Sequence, residues 1–322
     1  MENVQSAARK MKFYLAPMEE VTGYVYRKVY FRLFGDIDRY FTPFLAPPRK
    51  NAFRRKEGRE IDPENNQGME LVPQIMTNQA DQLLQSAKVL WDCGYRQLNL
   101  NLGCPSATVV PKGKGSGFLR DPDELDAFFD AFYNGLESLA PDMKLSVKTR
   151  LGLVSGDEFP RILAVYNRYP LSEVIIHPRV QTDFYKNKPD LDQFGAALED
   201  SVHPVCYNGD IFTQEDCEAL VRRFPALDRV MIGRGLVASP GLVREIKTGQ
   251  KTTREELRRY AGELFEGYCE AYGEEKNALY KMKEIWYYLG SRFPDSEKTL
   301  KKIKKATTGA KYREAVEELF QG

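Results

Sequence analysis

Paired cysteines are absent from this chain. Its five, at 93, 104, 206, 217 and 269, are odd in number and form no CxxC pair, which argues against a disulfide framework and a zinc ribbon and fits a reducing cytoplasm. Histidine is scarcer still: His177 and His203 are the only two, too few for a histidine-built metal centre, and no metal is expected. Net charge is nearly nil, with 47 Lys and Arg against 46 Asp and Glu. No global field then draws the chain to a nucleic acid or a membrane, and any basic face must be local. Long apolar runs are missing too, and residues 1–12 (MENVQSAARKMK) hold no apolar stretch. Neither export nor a membrane span is expected, and the cytoplasm is the expected compartment.

What the chain does have is a repeating alternation. Short β-prone runs occur at 12–17 (KFYLAP), 39–45 (RYFTPFL), 71–76 (LVPQIM), 97–102 (QLNLNL), 145–151 (LSVKTRL), 173–179 (EVIIHPR), 203–209 (HPVCYNG) and 229–235 (RVMIGRG). Helical periodicity separates them. Asn78 precedes a helix over 82–91, Asp121 with Pro122 opens one over 123–137, and Thr213 precedes one over 215–223. Eight strand and helix units at a spacing of roughly thirty residues predict an α/β fold, a (β/α)8 TIM barrel. A doubly wound open sheet is the competitor, but it has no use for eight units of such even length. From about residue 251 the composition shifts to helical runs rich in Glu, Lys and Arg. The reading is a barrel over residues 1–250 with a C-terminal helical bundle over 251–322.

In such barrels the working residues collect at the carboxyl ends of the strands. The unusual residues of this chain fall there: Ala16, Pro17 and Met18 after the first strand, Gln74 on the third, Asn101 and Cys104 after the fourth, Lys148 and Arg150 on the fifth, His177 and Arg179 on the sixth. The seventh ends in Asn208, Gly209 and Asp210, the eighth in Gly233 and Arg234. The last two tips offer small residues, free backbone N–H groups and a guanidinium near a short helix expected around Ser239, where barrels commonly bind phosphate. Lys148 is placed to neutralise an anionic ring such as a reduced flavin, and Gln74 and Asn101 offer donors and acceptors to a flat heterocycle. A lone cysteine is most often structural. Cys104, between Gly103 and Pro105 at a strand mouth and beside the glycine-rich run at 113–117, which is expected to be a mobile loop, reads instead as a thiol of ordinary acidity able to deliver a proton.

LAPM at 15–18, NLGCP at 101–105, VKTRLG at 147–152, HPR at 177–179, NGDI at 208–211 and MIGRG at 231–235, in that order, resemble the tRNA-dihydrouridine synthases, with a tail similar to the bacterial DusC-type subgroup. The resemblance implies FMN as cofactor, NADPH as reductant and a uridine of folded tRNA as substrate. It also implies that Ala16, Pro17, Met18, Gln74, Lys148, His177, Asn208, Gly209, Asp210, Gly233 and Arg234 hold FMN. Asn101, Arg150 and Arg179 would face the nucleotide, and Cys104 would be the proton donor. The chain departs from the family pattern in three places: Glu20 and Pro178 stand where glycine is usual, and the pair Cys206-Tyr207 where small residues are usual.

Two basic clusters flank the rim. One comprises Arg49, Lys50, Arg54, Arg55, Lys56 and Arg59; the other lies in the tail, with Lys281, Lys283, Lys301 and Lys302 as expected phosphate contacts. No obligate protein partner is implied and a monomer is expected. Two other readings remain at this stage: a barrel flavoprotein acting on a small pyrimidine or enoyl compound, and an RNA-binding protein without catalysis.

Overall fold

The computed structural model describes residues 4–49 and 51–321; Lys50 of the first basic cluster lies outside them. Nine parallel strand segments form one sheet. Two of them, Leu71–Val72 and Gln74–Ile75, are halves of a single strand interrupted at Pro73, which has no N–H to place in a ladder. The first half pairs with the second strand and the other half with the fourth, so the sheet closes into an eight-stranded barrel. In chain order the strands are β1 (Lys12–Leu15), β2 (Arg39–Phe41), β3 (the two halves), β4 (Gln97–Leu102), β5 (Lys144–Arg150), β6 (Glu173–His177), β7 (Val205–Tyr207) and β8 (Arg229–Ile232). β1 and β8 complete the ring in a register running from Lys12↔Arg229 to Leu15↔Ile232.

The interior is layered. At the amino ends of the strands buried Glu173 accepts from Tyr14 Oη (3.0 Å) and Arg229 Nη1 (2.8 Å). Above it an apolar plug of Tyr14, Ala16, Phe41, Val72, Ile175, Cys206 and Met231 fills the bore. Polar side chains begin above the plug. Helices cover the outside, and their starts follow the sequence: the Asp121 carboxylate caps Pro122–Leu139, and Thr213 caps Gln214–Arg223 in a reciprocal box with Asp216. Two short helices follow β8: Arg234–Ala238, which begins at Arg234 itself, and Leu242–Thr248, whose start lies just past Ser239 as expected.

The C-terminal region consists of the helices Arg254–Tyr272, Glu275–Leu289, Glu297–Lys305 and Gly309–Gln321. The first lies on the barrel helix Tyr24–Leu33 through aromatic contacts, with Tyr260 at 5.4 Å from Phe34 and 6.2 Å from Tyr26 between ring centroids. The second passes over Arg234–Ala238, and its Trp286 Nε1 donates to Tyr312 Oη at 2.9 Å. The carboxyl mouth of the barrel therefore faces helix Glu275–Leu289. Among the described residues no helix is long and apolar enough to cross a membrane, and no cluster of three or more His, Cys, Asp or Glu stands ready for a metal ion.

Candidate active site

A cavity of about 450 Å3 opens at the carboxyl ends of the strands, within the size range of cofactor sites. Its wall gathers Ala16, Pro17 and Met18 after β1, Lys148 and Arg150 from β5, and His177 from β6. Asn208, Gly209 and Asp210 after β7, with Gly233 and Arg234 after β8, complete it. Lys148 alternates inward with Ser146 and Arg150, as strand period requires. Its ammonium makes no hydrogen bond or ion pair among the described residues. Burial, and then Arg150, lower its pKa to about 8. A cation this poorly solvated, without a carboxylate, is a place for an anionic group.

The β7 tip is a close fit. Gly209 has room for hydrogen only, because a Cβ there would stand 2.0 Å from Tyr207 Oη. Tyr207 packs outward on Phe194 (5.0 Å, edge-on), while Cys206 belongs to the plug; the bulk at 206 and 207 therefore stays out of the cavity. Asn208 Nδ2 donates to Met231 O (2.8 Å), and His177 Nδ1 lies 2.7 Å from Asn208 O. Burial, followed by the charges of Arg150 and Lys148, holds the His177 imidazole well below its usual pKa and so neutral.

Several candidate residues lie elsewhere than expected. Gln74 is fully buried beneath the cavity, donating to Asn99 Oδ1 (2.7 Å) and accepting from Asn101 Nδ2 (2.8 Å). Arg150 spends its guanidinium on the carbonyls of Gly103, Val180 and Phe184, each at 2.9 Å, and so clamps two loops. Arg179, 2% exposed, turns inward onto Asp210 and Asn187 O; it does not present a free cation to a substrate. Asp210 pairs with both Arg179 and Arg234. Lys281 is bound to Glu20, and Lys302 to Glu318. Lys283 lies over the Tyr280 ring, and Lys301 is exposed.

Cys104 sits half-buried on the turn after β4, next to Gly103 of the cavity wall. The turn is built by Asn101, whose Oδ1 accepts from Gly103 N (3.1 Å) and Cys104 N (3.0 Å). The glycine run at 113–117 was expected to be a mobile flap. It is instead packed: Ser116 N and Oγ both donate to Cys104 O (3.1 and 2.9 Å). Gly115, at φ +56, leaves no room for a side chain, since a Cβ would lie 2.9 Å from that of Cys104. Burial raises the Cys104 pKa, and Glu19 adds to the effect against the lowering pull of Arg150 and Lys148. The thiol therefore carries its proton at neutral pH, the form a general acid needs.

Four aromatic residues of the cavity wall escaped the sequence reading: Tyr185, Phe212, Tyr287 and Tyr288. Tyr185 lies 4.7 Å from the Arg234 guanidinium and 5.4 Å from that of Arg150. A signal existed for the last pair. Trp286, Tyr287 and Tyr288 are consecutive on a helix, and at 100° per residue no single buried face accommodates three large rings.

A model of the dihydrouridine synthase family matches residues 14–321. A probable tRNA-dihydrouridine synthase of Staphylococcus aureus (strain COL) is 30% identical over 294 residues, 88% of this chain and 84% of the relative. One from Rhizobium leguminosarum bv. phaseoli is 29% identical over 217 residues, 67% of each chain. Among solved structures, the histamine dehydrogenase of Rhizobium sp. 4-9 superposes with a TM-score of 0.60 at 12% identity, over 77% of this chain and 48% of that one. Morphinone reductase does so with a TM-score of 0.52 at 10% identity, over 76% and 87%. At such identities the structural likeness speaks for the barrel alone.

Proposed function

We propose, from the premise that this chain belongs to the dihydrouridine synthase family, that it reduces the C5=C6 bond of a uridine in tRNA to 5,6-dihydrouridine. The observation that carries the site assignment is the placement of a protonated thiol, Cys104, directly beside Gly103 of the cavity wall, on which Lys148 stands as an unpaired buried cation. The cavity fits FMN on two counts: Lys148 lacks an anion, and the β7 and β8 tips present Gly209, Gly233 and Arg234 where a phosphate would lie. When bound and reduced by NADPH, FMN supplies a hydride equivalent to C6.

The chain's own residues do the rest. Lys148 holds the negative edge of the ring, while Ala16, Pro17, Met18, His177, Asn208 and Gly209 shape its seat. Gln74 and Asn101 act from beneath, fixing the Cys104 turn. Cys104 delivers the proton to C5, and its thiolate is reprotonated from solvent. Arg150 keeps Gly103 and the loop bearing Tyr185 in place, and the cavity aromatics offer faces on which an extruded base can stack. Residues 1–250 are read as the cofactor-binding part and 251–322 as the part that seats RNA, in a monomer of the cytoplasm.

Purified protein with FMN, NADPH and tRNA lacking the modification is expected to yield dihydrouridine, detected by mass spectrometry of nucleosides. Cys104→Ala is expected to bind FMN and oxidise NADPH yet form little product. Normal turnover by that variant would remove the assigned acid, and turnover on free uracil in place of tRNA would favour a small-molecule substrate.

A further inference from the structure

The loop that follows β1 separates two cavities. On one side Ala16, Pro17 and Met18 line the larger one; on the other, Glu19 and Glu20 line a second of about 200 Å3, together with Tyr268, Tyr272 and Lys281 from the C-terminal helices. Behind Glu19 and Glu20 there is therefore open space, although Val21 beside them is buried in the core, so at these two residues polar contacts must hold the loop.

Glu20 has a left-handed backbone, φ 62, a conformation that favours glycine and strains other residues. Here the glutamate side chain is fully engaged: Lys281 Nζ donates to the Glu20 carbonyl at 2.9 Å and also to its carboxylate, and Lys56 Nζ donates to Glu20 Oε1 at 3.2 Å. Lys281 is the firmer partner, with its side chain 19% exposed against 80% for Lys56. Hydrogen bonding from Lys281 also holds the carboxyl below its usual pKa.

Hydrogen bonds tie the loop to itself. Met18 N donates to Thr22 Oγ1 (2.7 Å), Thr22 Oγ1 to Ala16 O (3.2 Å), and Val21 N to Met18 O (3.1 Å). A displacement of Glu20 is thereby passed to Met18, which packs against the β8 tip at Gly233, and to Glu19, whose charge bears on Cys104. Seven residues beyond Lys281, two turns along the same helix face, Tyr288 lines the larger cavity.

We propose that Glu20 and Lys281 form an ionic latch that holds the β1 loop in register with helix Glu275–Leu289, making both of them positioning residues for the cofactor cavity. The proposal rests on the reading of that cavity as the FMN site. In it the carboxylate of the left-handed Glu20 supplies a tie that a glycine at this position would lack.

Two measurements on the full-length chain test it. The first is the FMN dissociation constant of the apoprotein, read by quenching of flavin fluorescence. Lys281→Met and Glu20→Gly are expected to weaken binding about tenfold, while Lys281→Arg, which keeps the cation and its donors, stays within about twofold. Glu20→Gly relieves the strained φ, so its melting temperature should not fall. Equal FMN affinity of Lys281→Met and wild type would overturn the latch. The second is amide hydrogen exchange of residues 18–22 without FMN, expected to quicken in Lys281→Met and not in Lys281→Arg. Unchanged exchange in Lys281→Met would likewise overturn it. If wild type itself fails to bind FMN, the reading of the cavity falls, and the exchange result still decides the latch.

Discussion

At the level of single residues the site depends on two groups placed where water solvates them poorly. Lys148 is the more costly. A pKa brought from 10.5 to about 8 corresponds to about 3 kcal/mol spent in keeping the ammonium charged inside the folded chain at neutral pH. The folded protein binds its proton less tightly than the unfolded chain. The penalty is thus complete below pH 8 and fades as pH rises from 8 towards 10.5. Lys148→Met is accordingly expected to unfold at higher urea concentration than wild type at pH 7, with the difference shrinking by pH 10. In wild type FMN binding should weaken as pH rises above 8 and the cation is lost; in Lys148→Met it should be weak at every pH. A flat pH profile of affinity in wild type would deny the lysine its part. Cys104 is shifted the other way, upward through burial, so at saturating FMN product formation should persist at pH values where an ordinary thiol has ionised.

At the level of elements, the Cys104 turn shows how local backbone geometry sets chemistry. Asn101 gathers the N–H groups of residues 103 and 104 from below, and Ser116 holds the Cys104 carbonyl from above. Gly115→Ala introduces a methyl 2.8 Å from Cys104 O at a backbone φ of +56. The expected result is a loss of about 1–3 kcal/mol in stability and a displaced thiol. Dihydrouridine formation should then fall at least tenfold while FMN affinity stays level. Gly113→Ala is the matched control. It shares a positive φ, +64, but its nearest neighbour is the flexible Asn78 side chain at 3.2 Å, so it should lose stability and keep its turnover. If both variants turn over alike, the packing of residue 115 on Cys104 is not what places the thiol. Pro73 has an equally local effect, splitting one strand without opening the barrel, because each half keeps its own neighbour.

At the level of the whole molecule, the C-terminal helices are both cover and mouthpiece. Helix Arg254–Tyr272 buries Leu257, Tyr260, Ala261 and Leu264, and its Tyr260 meets Tyr26 of the barrel helix Tyr24–Leu33 and Phe34 just beyond its end. A chain ending at residue 250 would bare those rings. It should aggregate or melt without a cooperative transition in circular dichroism, where a small-molecule barrel enzyme with a dispensable tail would stay folded and active. Much of this architecture was legible beforehand, since strand alternation, helix caps such as Asp121 and Thr213, and the chemistry-bearing residues at strand ends are all local properties of sequence. They sufficed for the closed barrel and for most of the cavity wall. Partners distant along the chain were not legible, because burial and pairing depend on which elements meet. Arg150, Arg179 and Lys281 read as free cations and are held by carbonyls or carboxylates; residues 113–117 read as mobile and are packed on Cys104; Tyr185 and Tyr287 reach the cavity across 100 residues of intervening chain. Residue type and spacing determined what chemistry this protein carries. Tertiary packing alone decided which charges remain unpaired to perform it, because the electrostatic worth of a charged group is set by its neighbours and its solvent, and neither is written beside it in the sequence.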